Sequence, residues 1–279
     1  TFEYSMEEAI QKGALCKYYY YPHLVKLTDD EMAEYIELSH RIAKIINRED
    51  DDSKEILKRL LLKRKQIIHK ARNKKDIFQN ILKEHLNKTG TLKYTLVYVP
   101  EGNKPDDYTA DIFDSYDMIN DGEDTVHLIN EYTSIVRDLD SHIVVRQFTS
   151  ESSDRDAMLK DFANGSIDVL TSMKCLDEGV DVPRSELAIF CASTGNPRQF
   201  IQRRGRVLRT HAEKKYAIIH DLVVIPDNNF DPSCQDIEKN LVANEIRRVR
   251  DFAVLSENCN DTLNVLDDIL EQYQISLYN

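Results

Sequence analysis

No apolar stretch in the 279 residues approaches the ~18 that a membrane-spanning helix requires, and no secretory-type leader opens the chain. The five cysteines (Cys16, Cys175, Cys191, Cys234, Cys259) form no C-x-x-C pair and show no metal-ligand spacing, and the eight histidines are equally dispersed. That scatter speaks against a disulfide framework or a zinc site. It points to a reducing compartment, the cytoplasm or, in a eukaryote, the nucleus. Internal repeats and low-complexity segments are also missing. Basic residues are in deficit, 37 against 49 acidic, for a formal net charge of -12. This acidity argues against a wholesale nucleic-acid coat, although the average conceals blocks of opposite sign. What remains is a soluble-type chain, 41% hydrophobic, with capacity for one large domain or two modest ones. Its first residue is Thr1 and its opening reads as mid-domain sequence, which predicts a longer parent protein.

Helical spacing around Met6, Ala9 and Ile10 gives way at Gly13 to a Tyr-rich run suited to a strand. Thr28 is a good N-cap, with Asp29, Asp30 and Glu31 in the first turn where the helix dipole favours carboxylates. From there to about 88 the pattern is helical and almost free of glycine and proline. EDDDS at 49–53 is the expected turn between two long helices. Residues 29–53 carry nine acidic and three basic side chains, whereas 54–93 carry thirteen basic and three acidic, a balance of +10. One reading is a solvated hairpin whose arms attract each other. The other is a contact surface for a phosphate backbone, which charge reversal at Lys63, Arg64 and Lys65 would test. Phe78 is the only aromatic interleaved there, which gives poor support to base stacking.

After Gly90 the texture changes. Strands are expected over 94–100, 142–148, 167–172, 186–191 and 216–224, and helices near 125–140, 154–165 and 197–209. An acidic, turn-rich patch should run from Pro100 to about 124. Strands and helices alternating at this spacing imply a parallel sheet covered on both faces. The segment from about 233 is helical, with apolar residues at Ile246, Val249, Phe252 and Leu255. The expected division is 1–89 as a connector with a helical hairpin, 90–232 as the α/β domain and 233–279 as a helical extension.

QFIQRRGRVLRT at 199–210 sets Arg203, Arg204, Arg206 and Arg209 within seven residues. Asn196 followed by Pro197 is a strong helix start. At about 100° per residue, with Gln202 at zero, Arg206 falls near ~40° and Arg209 near ~-20°. These three share a polar face, opposite Phe200, Ile201, Val207 and Leu208. Arg204 sits on the apolar side and is assigned a local structural role, as is Arg203. Gly205 permits a close approach by another backbone or a ligand, and arginine suits planar, multi-oxygen targets such as phosphates. Upstream, TSMKCLDEGVDVP at 171–183 follows a strand directly, at the carboxyl end where open α/β sheets bind ligands. Thr171 and Ser172 offer hydroxyls to a phosphate, Gly179 permits an unusual backbone position, and Asp181 offers a carboxylate to a ribose or an arginine.

The pair LDEGVDVP and QRRGRVLR resembles motifs V and VI of superfamily 2, DEAD/DEAH-type helicases and translocases, in that family's order and separation. LVYVP at 96–100 resembles motif IV, and QFTSES at 147–152 lies where another element of the same lobe is expected. The likeness covers residues 90–225 well. The Tyr-rich start and helical hairpin look like the segment joining the two motor lobes in DNA-repair and restriction-type members. The resemblance implies a C-terminal RecA-like lobe (a P-loop NTPase-type fold) in which Arg206 and Arg209 are arginine fingers on the γ-phosphate of ATP and Gln202 orders the site. It implies that Gly179 and Asp181 couple nucleotide state to the nucleic-acid track, and that Thr171 and Ser172 hold a phosphate of the bound strand. Neither a G-x-x-x-x-G-K-[ST] phosphate loop nor a D-E-x-[DH] acidic box occurs in the sequence. ATP and its Mg²⁺ would then be held mainly by an N-terminal RecA-like lobe of the same protein, and this chain alone would be inactive. The implied partner is nucleic acid, DNA first, with no membrane. Two other readings stay open. One is a non-catalytic adaptor lobe that binds nucleic acid or a protein. The other is a nucleotide-sugar transferase on a similar frame.

Overall fold

A computed structural model describes residues 5–48, 50–100, 122–149, 152, 154–173, 182, 184–192, 197–226 and 235–277, with backbone alone over 122–126, 197–199 and 235–237. Residues 101–121 of the acidic, turn-rich patch expected to about 124, and most of LDEGVDVP, including Gly179 and Asp181, lie outside the described residues; 122–124 are the start of a helix.

Six strands occupy the positions read from the sequence: β1 (Lys17–Val25), β2 (Thr95–Tyr98), β3 (Val145–Phe148), β4 (Val169–Ser172), β5 (Leu187–Phe190) and β6 (Tyr216–Val224). They form one sheet in the order β1-β6-β5-β2-β4-β3, with every pairing parallel. The helices are α1 (Met6–Gln11), α2 (Asp29–Ile45), α3 (Asp51–Lys70), α4 (Lys74–Thr89), α5 (Gly122–Arg137), α6 (Arg155–Ala163), α7 (Pro197–Val207), α8 (Gln235–Ala253), α9 (Cys259–Asn264) and α10 (Asp267–Tyr273).

Strands β2, β4 and β5 are buried at every position, as parallel strands covered on both faces must be. On one face Tyr18, Tyr20, Tyr98 and Phe190 meet Phe162 of α6, Phe200 of α7 and Phe252 of α8. On the other, Val97, Ile189 and Leu222 meet Tyr35 of α2, Phe78 of α4 and Tyr132 of α5. The Tyr-rich run expected within the connector is the sheet's edge strand, paired with β6 along its whole length. Its open side is sealed locally: the Asn258 side chain bonds both the Tyr20 N–H and C=O, and the Thr262 hydroxyl donates to the same carbonyl. Such capping removes a template for unwanted strand pairing.

The arm departs from two long helices, because the second is broken into α3 and α4. At the break the Arg72 N–H donates to the Glu31 carboxylate (2.9 Å), and its guanidinium reaches the Thr28 hydroxyl (2.6 Å) and Asp30 (3.1 Å). The Asn73 amide donates to the Lys26 carbonyl (2.8 Å). These bonds to the start of α2 replace the helical ones that 71–73 would otherwise make. Thr28 caps α2 in a capping box with Glu31, as its sequence context suggests.

Arg64 corrects the reading of the basic arm. It is 5% exposed and turned inward, donating to Glu238 of α8 (3.0 Å) and to the Ser39 hydroxyl (3.2 Å), while Tyr35 and Ser39 donate to the same carboxylate. Lys63 is exposed and Lys65 half-buried. Helical phase separates three consecutive cations, and the middle one joins the arm to α8.

Candidate functional site

Helix α7 begins at Pro197, and Phe200 anchors it within an aromatic cluster. The Phe200 ring centroid lies 6.1 Å from that of Phe190 and 5.9 Å from that of Phe252, and the Arg248 guanidinium covers it at 4.3 Å. Arg248 is itself fixed by fully buried Asp221 on β6 (2.5 Å) and by Glu245 (2.6 Å), and the Tyr20 hydroxyl donates to the same Asp221 oxygen (2.8 Å). One buried charge centre thus ties β1, β6 and α8 to the back of α7.

The four arginines divide as helical phase predicts for three of them. Arg203, 2% exposed, lies 5.1 Å from the ring centroid of Tyr98 at the end of β2. Arg204, 6% exposed, donates to the Asp251 carbonyl (2.7 Å) and stacks on Phe252 at 4.4 Å. Gln202 is exposed and Arg206 half-buried on the face turned away from the sheet. Two details differ from the helical wheel. Ile201 is 51% exposed rather than buried, because the covered arc is centred on Phe200, Arg203, Arg204 and Val207. Arg209 lies beyond the helix, which ends at Val207, so a turn places it rather than helical phase.

That turn is built by residues the sequence did not single out. Arg209 forms an antiparallel bridge with Leu15, and the Cys16 N–H donates to the Leu208 carbonyl (2.8 Å). Lys214, 7% exposed, donates its ammonium to the Val207 and Arg209 carbonyls, closing the helix end with a positive charge. Burial pushes the Lys214 ammonium below the ordinary lysine range and the Cys16 thiol beside it above the ordinary thiol range. No local signal marks Lys214, since its partners are carbonyls.

Thr171 and Ser172 end β4, at the carboxyl edge of the sheet as expected, but both are fully buried. The Thr171 hydroxyl shares a hydrogen bond with that of Thr133 on α5 (2.9 Å), and Ser172 donates to the Met173 carbonyl (3.3 Å). A Cβ added at Gly205 would meet nothing within 4 Å, so the space beside it is open. Among the described residues no three His, Cys, Asp or Glu side chains assemble into a group that could hold a metal ion, and no helix is long and apolar enough to cross a membrane.

Residues 112–211, which include the whole arginine cluster, match the family described as Helicase conserved C-terminal domain. The chain carries a superfamily 2 helicase C-terminal domain. Its parallel sheet is the RecA-like lobe of that family. The chain is 37% identical over 81 residues to DNA 3'-5' translocase XPB2 of Sulfurisphaera tokodaii, covering 29% of this chain and 18% of that protein. It is 30% identical over 109 residues to Dicer-like protein 2 of Phaeosphaeria nodorum, covering 39% of this chain and 7% of that one. These matches span less than a fifth of either relative. Among solved structures, the Sulfolobus solfataricus SWI2/SNF2 ATPase core in complex with dsDNA shares the fold at a TM-score of 0.53 and 16% identity, covering 93% of this chain and 50% of that one. Helicase C-terminal domains are typically parts of ATP-dependent helicases and translocases.

Proposed function

We propose that this chain is the C-terminal half of the motor of an ATP-dependent DNA helicase or translocase, with Arg206 and Arg209 acting as its arginine fingers. One observation carries the reading. Within a single cluster, Arg203 and Arg204 are absorbed by the core, while Gln202, Arg206 and Arg209 keep surface exposure. They do so inside the block that matches the helicase family.

ATP, with its Mg²⁺, supplies a phosphoanhydride whose hydrolysis spreads negative charge over the γ-phosphate oxygens. Arg206 and Arg209 present guanidinium groups to those oxygens, and Gln202 orders the contact beside them. In nucleotide hydrolases such a finger is worth ~10³ to 10⁵ in rate. Asp181 and Gly179 link the ribose side of the site to the nucleic-acid track. For Thr171 and Ser172 to hold a strand phosphate, their buried hydroxyls must be uncovered when the strand binds. The phosphate loop and acidic box are absent from this sequence, so the chain alone turns over no ATP and unwinds nothing.

The test is Arg209→Ala in a protein that joins this chain to a lobe carrying the phosphate loop. DNA-stimulated ATP hydrolysis should fall by ~10³ or more while ATP binding persists. Undiminished turnover sinks the finger assignment. A parent protein that binds DNA but shows no stimulated hydrolysis even when unsubstituted favours the adaptor reading instead.

A further inference from the structure

The hydroxyls assigned to the bound strand sit at the inner end of a chain of hydrogen bonds that no motif marks. Adjacent residues of a strand point to opposite faces. Thr171 shares a face with Val169, which packs in the cluster with Tyr132 of α5, and its hydroxyl meets that of Thr133 on the same helix. Ser172 shares the other face with Leu170, in the cluster with Phe162 of α6 and Phe200 of α7. Beside Thr171 lies Gln147 of β3, its partner in the parallel register. The Gln147 amide donates to the Asn130 side-chain oxygen (2.8 Å) and to the Thr133 hydroxyl oxygen (3.1 Å), both on α5. Asn130 is exposed, Gln147 half-buried, and Thr133 and Thr171 wholly buried, so the chain runs from the surface to the end of β4.

Counting protons fixes the direction of each bond. A hydroxyl has one proton to give and two lone pairs with which to accept. Thr133 commits its proton to the Ile129 carbonyl one turn back (2.6 Å), a bond open to threonines inside helices. Its oxygen then only accepts, taking the Gln147 N–H and the Thr171 O–H (2.9 Å). Thr133 is thereby filled, and the one proton of Thr171 is held by it. The other acceptor within reach of Thr171, the Arg146 carbonyl, lies farther off at 3.5 Å. Phosphate oxygens of a nucleic-acid backbone take hydrogen bonds from protein donors. Thr171 has no proton to give one until its bond to Thr133 breaks.

We propose that Thr133 is a lock on Thr171 and Gln147 its cover, two positioning residues that keep the hydroxyl from the nucleic-acid strand until the strand displaces them. On binding, the Gln147 amide turns from α5 to the strand, Thr171 is uncovered, and its proton rotates from Thr133 to a strand phosphate. The strand exchanges internal hydrogen bonds for its own, and so binds less tightly than it would to an unlocked hydroxyl. This rests on the reading of Thr171 as a strand contact and adds what controls that contact.

The test uses a parent protein that joins this chain to a lobe carrying the phosphate loop, with strand affinity read by anisotropy of a fluorescein-labelled oligodeoxynucleotide. Thr133→Val and the smaller Thr133→Ala remove the acceptor. Each should bind the strand about threefold more tightly or better, because binding no longer breaks the 2.9 Å bond. Thr133→Ser keeps the hydroxyl and should leave affinity unchanged. The gain must also depend on the proton it releases: on a Thr171→Val background, itself weaker in binding, Thr133→Val should add nothing. A gain that survives on that background overturns the lock, as does tighter binding in Thr133→Ser. Unchanged or weaker binding in both Thr133→Val and Thr133→Ala overturns it too. A different result marks failure of the underlying reading: Thr171→Val binding the strand as tightly as the unsubstituted protein removes Thr171 as a contact, and the lock falls with it.

Discussion

Arg203 and Arg204 sit within six residues of Arg206 and Arg209, yet the two pairs meet different physics. The first pair is removed from water and packed against ring faces: Arg204 on Phe252, with a hydrogen bond to the Asp251 carbonyl, and Arg203 against Tyr98. The second pair keeps access to solvent, one on the helix face away from the sheet and one on a turn closed by Lys214. The basic arm repeats the contrast, where Arg64 is buried against Glu238 between exposed Lys63 and half-buried Lys65. A run of cations is therefore not one functional object. Helical phase divides it into members that hold the protein together and members available to something outside it.

The sharpest way to break this comparison on the stability side is Arg64→Ala. Removing it leaves the buried Glu238 carboxylate with the Tyr35 and Ser39 hydroxyls as its partners among the described residues. Unfolding free energy should drop by about 3–5 kcal/mol, whereas Lys63→Ala should change it by less than ~0.5 kcal/mol. Denaturant melts of both variants decide the matter. Equal effects would erase the inward–outward distinction in the arm.

Next in size is Arg204→Ala. It loses a hydrogen bond from a charged donor and a buried ring contact, which together are worth about 3 kcal/mol. The expected result is a thermal midpoint lower by several degrees. A midpoint within error of the unsubstituted chain would show that the core tolerates the vacancy and that Arg204 has been assigned wrongly.

The smallest effect has the opposite sign. Gly205 is an interior helix residue with open space where a Cβ would go, so Gly205→Ala should stabilise the isolated chain by up to ~1 kcal/mol. Should another backbone or a nucleotide approach this position in the assembled motor, the same substitution will slow ATP turnover. A variant that is more stable and equally fast would remove the case for a close approach at this glycine.

The sheet was legible because burial on both faces leaves a plain record: short apolar runs such as LVY and LAIF, separated at α/β spacing. The place of β1 was harder to read. Its alternation of Tyr18 and Tyr20 inward with Tyr19 and Tyr21 outward marks a strand but not which neighbour it pairs with. The break at 71–73 carries no glycine or proline. It is enforced by Arg72 and Asn73 reaching residues more than forty positions away, which local pattern does not register. For the arginine cluster, periodicity assigned Arg204 inward and Arg206 outward but failed at its margins. Ile201 is exposed because it falls outside the covered arc of Phe200, Arg203, Arg204 and Val207, and Arg209 falls past the last helical residue, where a lysine and a bridge to Leu15 take over. Resemblance of motifs led to the right family. The side-chain environments explain why so few of the cations in the cluster reach the surface.

The central claim is that four neighbouring arginines separate into two supporting and two acting on nucleotide. It is tested most directly by single alanine variants at 203, 204, 206 and 209 in one phosphate-loop-bearing parent, each read for thermal midpoint and for DNA-stimulated ATP hydrolysis. The account predicts that Arg203→Ala and Arg204→Ala lower the midpoint, and that Arg206→Ala and Arg209→Ala leave it in place while abolishing turnover. Full turnover in either of the latter two, or a common loss of stability across all four, would contradict it.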